Sequence, residues 1–100
     1  MAAKYGVTVG DMAEALVAAT ADESLLQAGI TNATQLERDL CLDSVDLAAL
    51  AAVLRDRHGR AVNLTGYVAG LDVDEIIGLT VGDVADYVNR CLLAAAREDP

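Results

Sequence analysis

Ser44 is the residue of this chain that best combines a reactive group with a defined backbone position. It stands in Leu42-Asp43-Ser44-Val45-Asp46-Leu47, between two carboxylates and directly ahead of an apolar-periodic run. Asp43 is placed to cap the free amides of a helix, and Asp46, three residues on, falls near the positive end of that helix's dipole. With Asp43 as the cap, Ser44 becomes the first helical residue and its hydroxyl can face solvent. An isolated serine before an apolar run more commonly just helps to cap a helix. Cys41, Cys91 and His58 are the other groups of interest. The two cysteines lie far apart, with no second Cys or His at metal-ligand spacing, so free thiols are expected and a metal site is not. Nothing near Cys41 in sequence activates it, and it is expected to be partly buried and inert, with Cys91 a small core residue. His58 suits the end of a helix, where it complements the dipole, or the surface. With a single histidine, and Ser24 the one other serine, no general base stands poised beside a nucleophile. No catalytic residue is assigned, and an enzyme is the weakest reading.

The elements that must position Ser44 follow from periodicity and caps. Val9, Met12, Ala13, Leu16 and Val17 recur at the three-and-four spacing of one helix face, which predicts a first helix over Val9 to Thr20. From Ala21 to Leu42 the pattern breaks up around Gly29 and Thr31-Asn32-Ala33-Thr34, a long connection with room for one or two helical turns. The second helix is expected from Ser44 to His58, with Leu47, Leu50, Ala51 and Leu54 as its core stripe and Gly59 stopping it in a left-handed conformation. Val62 to Leu71 is apolar and punctuated by glycine. Asp72-Val73-Asp74-Glu75 then caps a short third helix reaching Gly78. Thr80-Val81-Gly82-Asp83 has the form of a capping box and opens a last helix with Val81, Val84, Val88, Cys91, Leu92 and Ala95 on one face.

These elements make one all-α domain, a small four-helix bundle with a long first loop and a short third helix. Segments 1–6 and 97–100 are expected as disordered tails. A chain of 100 residues can bury roughly two-thirds of the surface it exposes when unfolded, enough for one core. With no Trp or Phe and three Tyr, that core must come from Leu, Val, Ile and Ala. The formal charge of −9 repels phosphate backbones and argues against nucleic acid as a partner. No run is apolar enough for a signal peptide or a membrane span, so a cytoplasmic location away from membranes is expected. The Asn-x-Thr sequences at Asn32 and Asn63 carry little weight in such a setting.

Physical pattern alone leaves several functions open to an acidic helical bundle. The segment from Leu36 to Gly59 narrows them. Asp39-Leu40 followed by Asp43-Ser44-Val45 at the start of a helix resembles the phosphopantetheine attachment region of acyl carrier proteins, in which an Asp-Leu pair precedes Asp-Ser-Leu. Val45 in place of the leucine is a mild change. Thr31-Asn32-Ala33-Thr34 is similar to the family's loop lead-in, and Thr80-Val81-Gly82-Asp83 to the start of its last helix. The resemblance implies a free-standing, monomeric carrier that catalyses nothing. A phosphopantetheinyl transferase would move the 4'-phosphopantetheine arm from coenzyme A, with Mg²⁺, onto Ser44. Acyl-loading and condensing enzymes would then use the arm's thiol. An anion on Ser44 would sit at a helix N-terminus, where unpaired amides and the dipole favour it.

The chain also departs from the family. The outward face of the second helix, Val45, Asp46, Ala48, Ala49, Ala52, Arg55 and Asp56, is the expected partner-binding surface, yet it has Ala49 and Arg55 where glutamates are common. Arg57 and Arg60 follow. Docking on a small-residue apolar strip with mixed charge is one reading of this face, and a solvated face built of good helix formers is the other. The segment from Gly59 to Thr80 is longer than the family's. Its Tyr67, Val68, Leu71, Ile76 and Ile77, with Leu47 and Leu50, are candidates to line a pocket for the acyl chain, or else complete an ordinary core. Cys41 occupies a position where the family often has glycine. The weak acidic face and the longer segment favour polyketide or other secondary-metabolite synthesis over fatty-acid synthesis. Peptidyl carriers usually have Gly-His where this chain has Leu42-Asp43. An unmodified helical adaptor is the alternative from another class.

Overall fold

The computed structural model describes residues 7–27 and 29–98, and among them the chain is all-α. Helix α1 spans Val9–Thr20, a 3-10 turn spans Glu23–Gln27, α2 spans Ser44–His58, α3 spans Leu64–Ala69, α4 spans Val73–Ile77 and α5 spans Val81–Glu98. α1, α2, α4 and the start of α5 lie where periodicity and caps predict. The apolar segment before Asp72 holds a helix of its own, α3, which its glycines obscure in sequence. α5 runs on through Arg97 and Glu98, expected as tail, while segments 1–6 and 99–100 lie outside the described residues.

Local chemistry sets these starts. Thr8 with Asp11, Asp43 with Asp46, and Asp72 with Glu75 form reciprocal capping boxes. Thr80 and Asp83 do the same, each backbone amide donating to the other's side chain at 3.1 Å. Each box satisfies amides that the first turn of a helix leaves without an internal acceptor. α1 ends at Ala21, whose φ of 58° is left-handed. Gly59 closes α2 differently from the expected left-handed cap. Its φ of 103° and ψ of 174° form an extended positive-φ turn that a side chain would strain.

The core sits where α1 packs on both α2 and α5. Met12 and Leu16 of α1, Leu50 and Leu54 of α2, and Val81, Val84 and Val88 of α5 are all fully buried there. Leu47 and Ala51 of the expected α2 stripe, and Cys91 and Leu92 of the α5 stripe, pack against it half-buried. Ala95 is exposed.

The long first loop is fastened to the start of α5. The Leu36 amide donates to the Leu79 carbonyl at 3.0 Å, the Val81 amide to Thr34 at 2.8 Å and the Gly82 amide to Asn32 at 2.9 Å. A Cβ on Gly82 would lie 2.9 Å from the Asn32 carbonyl oxygen, so the loop backbone rests where only glycine leaves room. Leu36, buried beneath this seam, starts a single turn in which the Asp39 carboxylate accepts the Gln35 amide at 2.8 Å. Thr31-Asn32-Ala33-Thr34 and Thr80-Val81-Gly82-Asp83, far apart in sequence, are thus one structural unit. It delivers the chain to Asp43.

Candidate functional site

Ser44 is the first residue of α2, and it is exposed. On one side of it, the Asp43 carboxylate accepts the Asp46 amide at 2.9 Å. The Asp46 carboxylate returns to accept the Asp43 amide at 3.3 Å. Both neighbouring carboxylates are therefore occupied in holding the helix start. Among the described residues, the Ser44 hydroxyl has no protein hydrogen-bond partner. The amides of Ser44 and Val45 occupy the first two helical positions, where no intrahelical carbonyl can reach them. The site is a free hydroxyl beside unpaired donors at the positive end of a helix of 15 residues.

Beside this hydroxyl opens an apolar cleft of about 240 Å³, lined by Ser44, Leu47 and Ala48 from α2 and by Leu64, Thr65, Val68 and Ala69 from α3. A second depression of about 210 Å³ adjoins it along α2, sharing Ala48, Leu64 and Thr65 and adding the polar side chains of Arg55 and Asn63. Together they form a groove that is apolar next to Ser44 and polar toward Arg55.

The expected pocket residues divide. Leu47 and Val68 line the cleft. Leu50 is fully buried in the core and does not line the cleft. Tyr67 lies on the α5 side of α3, stacked on Tyr87 with ring centroids 4.4 Å apart. Leu71 packs half-buried against the core, and Ile76 and Ile77 are half-buried in α4. The space therefore lies between α2 and α3, away from α5. Leu64, Thr65 and Ala69 complete its lining without having stood out in sequence. The signal that marks them is Asn63, whose side chain accepts the Gly66 amide at 3.1 Å and so caps α3. Once Asn63 is read as a cap, positions 64, 65, 68 and 69 fall on one helix face.

α3 is held from behind by α5. The Tyr87 hydroxyl donates to the Asn63 carbonyl at 2.9 Å and accepts the Asn63 amide at 2.9 Å. Desolvation, reinforced by the Cys91 thiol next to it, pushes the Tyr87 phenol above its usual pKa.

On the outward face of α2, Val45 is 73% exposed, and Ala48, Ala52, Arg55 and Asp56 are exposed as well, whereas Asp46 and Ala49 are half-covered. Arg55, Arg57 and His58 gather in the last turn of α2, where cations complement the dipole. Cys41 corrects an expectation. It is exposed rather than partly buried, because its φ of 58° turns the chain so that the next residue, Leu42, enters the core. That left-handed backbone is the conformation a glycine adopts most easily. Among the described residues, no group of three or more His, Cys, Asp or Glu side chains is arranged to hold a metal ion. No described helix is long and apolar enough to cross a membrane. Comparison with family models, with curated proteins and with solved structures returned no match.

Proposed function

We propose that this chain is an acyl carrier protein that bears a 4'-phosphopantetheine arm on Ser44 and delivers thioester-bound acyl groups to synthase enzymes. The observation that carries the reading is the Ser44 hydroxyl itself: exposed, unpartnered among the described residues, and set at the mouth of an apolar cleft. In this reading the fold is a four-helix bundle made of α1, α2 and α5, with the short α3 and α4 together taking the place of the remaining helix.

The residues around Ser44 fit such an arm. In the attachment reaction the Ser44 Oγ–H bond and the pyrophosphate P–O bond of coenzyme A would break, and a phosphoester bond would form between Oγ and the phosphate of the arm. Adenosine 3',5'-bisphosphate leaves, and the proton passes to the transferase. When bound, the arm supplies a thiol that carries acyl groups. The chain's own part is positioning: Asp43 and Asp46 fix the helix start, the Ser44 and Val45 amides face the phosphodiester, and Leu47 and Val68 keep water from an acyl chain. The proposed partners are a phosphopantetheinyl transferase and acyl-loading and condensing enzymes, met in the cytoplasm on the exposed face of α2. A polyketide cargo is favoured over a saturated fatty acyl chain, because the groove becomes polar at Arg55 and Asn63, donors suited to keto oxygens.

Incubation with coenzyme A, Mg²⁺ and a broad-specificity phosphopantetheinyl transferase, followed by intact mass measurement, is expected to show one added arm. Ser44→Ala is expected to abolish it completely. A wild-type chain that stays unmodified would turn the reading to a helical adaptor that binds partners through α2 without modification.

A further inference from the structure

We propose that Tyr87 is the positioning residue that sets the width of the Ser44 cleft, and through it the length of acyl group the cleft shelters. The second half of this inference rests on the carrier reading; the first stands on geometry alone. Four of the seven residues lining the cleft, Leu64, Thr65, Val68 and Ala69, belong to α3. α3 is only six residues long, and Leu64 is its one buried side chain. So short a helix has little stability of its own and takes its position from what holds it.

Besides Leu64, the buried Val62 just before the cap and the half-buried Tyr67 and Val68 against the core, the group that grips α3 by its backbone is Tyr87. Its hydroxyl closes two 2.9 Å hydrogen bonds on the amide and carbonyl of Asn63, the residue that caps α3. The same ring stacks on Tyr67, one turn into α3, with an interplanar angle of 16°. A side chain that grips the cap by its backbone and the helix by an aromatic face fixes both the height and the tilt of α3. The opposite wall has no such freedom, because α2 is anchored to the core by Leu50 and Leu54. Changes in Tyr87 therefore appear as changes in the gap.

The test uses two variants of the full chain and two readouts. Tyr87→Phe keeps a ring for Tyr67 to stack on but loses both bonds to Asn63. Amide hydrogen exchange at Gly66 and Tyr67 is expected to quicken about tenfold in this variant, as the loss of two modest hydrogen bonds allows. Wild type and variant are then loaded by a transferase with saturated acyl groups of increasing length, and the rise in melting temperature is followed along the series. In wild type the rise is expected to level off at a length that fills the cleft, and in Tyr87→Phe to level off at a longer one. Tyr67→Leu, which leaves the two bonds in place, is expected to shift that length less.

Unchanged exchange in Tyr87→Phe, or the same levelling length in both proteins, would overturn the assignment. A shift in Tyr67→Leu as large as that in Tyr87→Phe would overturn it too, since ring stacking alone would then set the gap. If no arm is added to wild type, the carrier reading falls, and the exchange measurement on the unmodified chain still decides whether Tyr87 positions α3.

Discussion

α2 and α3 face one another across the Ser44 cleft, and they are held in opposite ways. α2 has 15 residues, a reciprocal cap at its start and two fully buried leucines in the core. α3 has six residues, a one-sided Asn63 cap and one buried leucine, and its cap residue is hydrogen-bonded to a tyrosine from α5. The wall that presents the exposed hydroxyl is thus built into the core, while the wall that defines the space beside it is packed more lightly and held by a side-chain latch. Under the proposed carrier function, attachment at Ser44 calls for a fixed hydroxyl, and a space for cargo gains from a wall that yields.

Substitutions in the two walls are expected to have different consequences. Leu54→Ala empties a fully buried site on the α2 side and is expected to cost about 2–5 kcal/mol of global stability, read as a lower denaturant midpoint at unchanged slope. A loss confined to α3 would break the contrast. Asp43→Ala removes the cap beside Ser44 and the acceptor for the Asp46 amide. The expected cost is about 1 kcal/mol, together with slower modification of Ser44 in a transferase time course; modification at the wild-type rate would show that a fixed helix start is not needed.

Val68→Ala acts on the yielding wall, where the side chain is only half-buried. It is expected to cost less than about 1.5 kcal/mol, to leave the rate of Ser44 modification unchanged and to lengthen the acyl group that still stabilises the loaded protein. Equal effects of Val68→Ala and Asp43→Ala on modification would erase the distinction.

The smallest effect is alkaline. The Tyr87 phenol is raised above its usual 10.0, chiefly by desolvation and next by Cys91, with the Asn63 backbone and Arg90 opposing. It holds its proton more tightly folded than unfolded, so its contribution to stability is intact below the unfolded value and is lost as pH rises through the folded one. A phenolate absorbance titration of wild type minus Tyr87→Phe is expected to show ionisation above the usual tyrosine value. Ionisation at or below that value would contradict a desolvated latch.

The sequence was most legible where one residue type does one local task. Asp43, Asp72 and Thr80 each begin a helix as their spacing predicts, and Val9 to Thr20 shows its face through periodicity. A cap or an amphipathic stripe is a contract among residues within four positions of one another. α3 was less legible because the glycines of the apolar segment read as punctuation, while Asn63 stands out only as part of an Asn-x-Thr sequence. Gly59 and Cys41 show the same limit. That each stands at a turn can be read from its neighbours, but which backbone angles it adopts, and whether Cys41 is covered, depend on where the following residue must go.

From the sequence alone came the all-α class, the limits of α1 and α2, and Ser44 as an uncommitted hydroxyl at a capped helix start, because these follow from short-range hydrogen bonding and hydrophobic spacing. Tertiary structure decided the rest. It joined 31–34 to 80–83, buried Leu50 in the core, set Val68 in the cleft beside Ser44, and paired Tyr87 with Asn63 across 24 residues of chain. Which face of a short helix meets which neighbour is settled by the packing of the whole core, and the cleft beside Ser44 is the space that packing leaves.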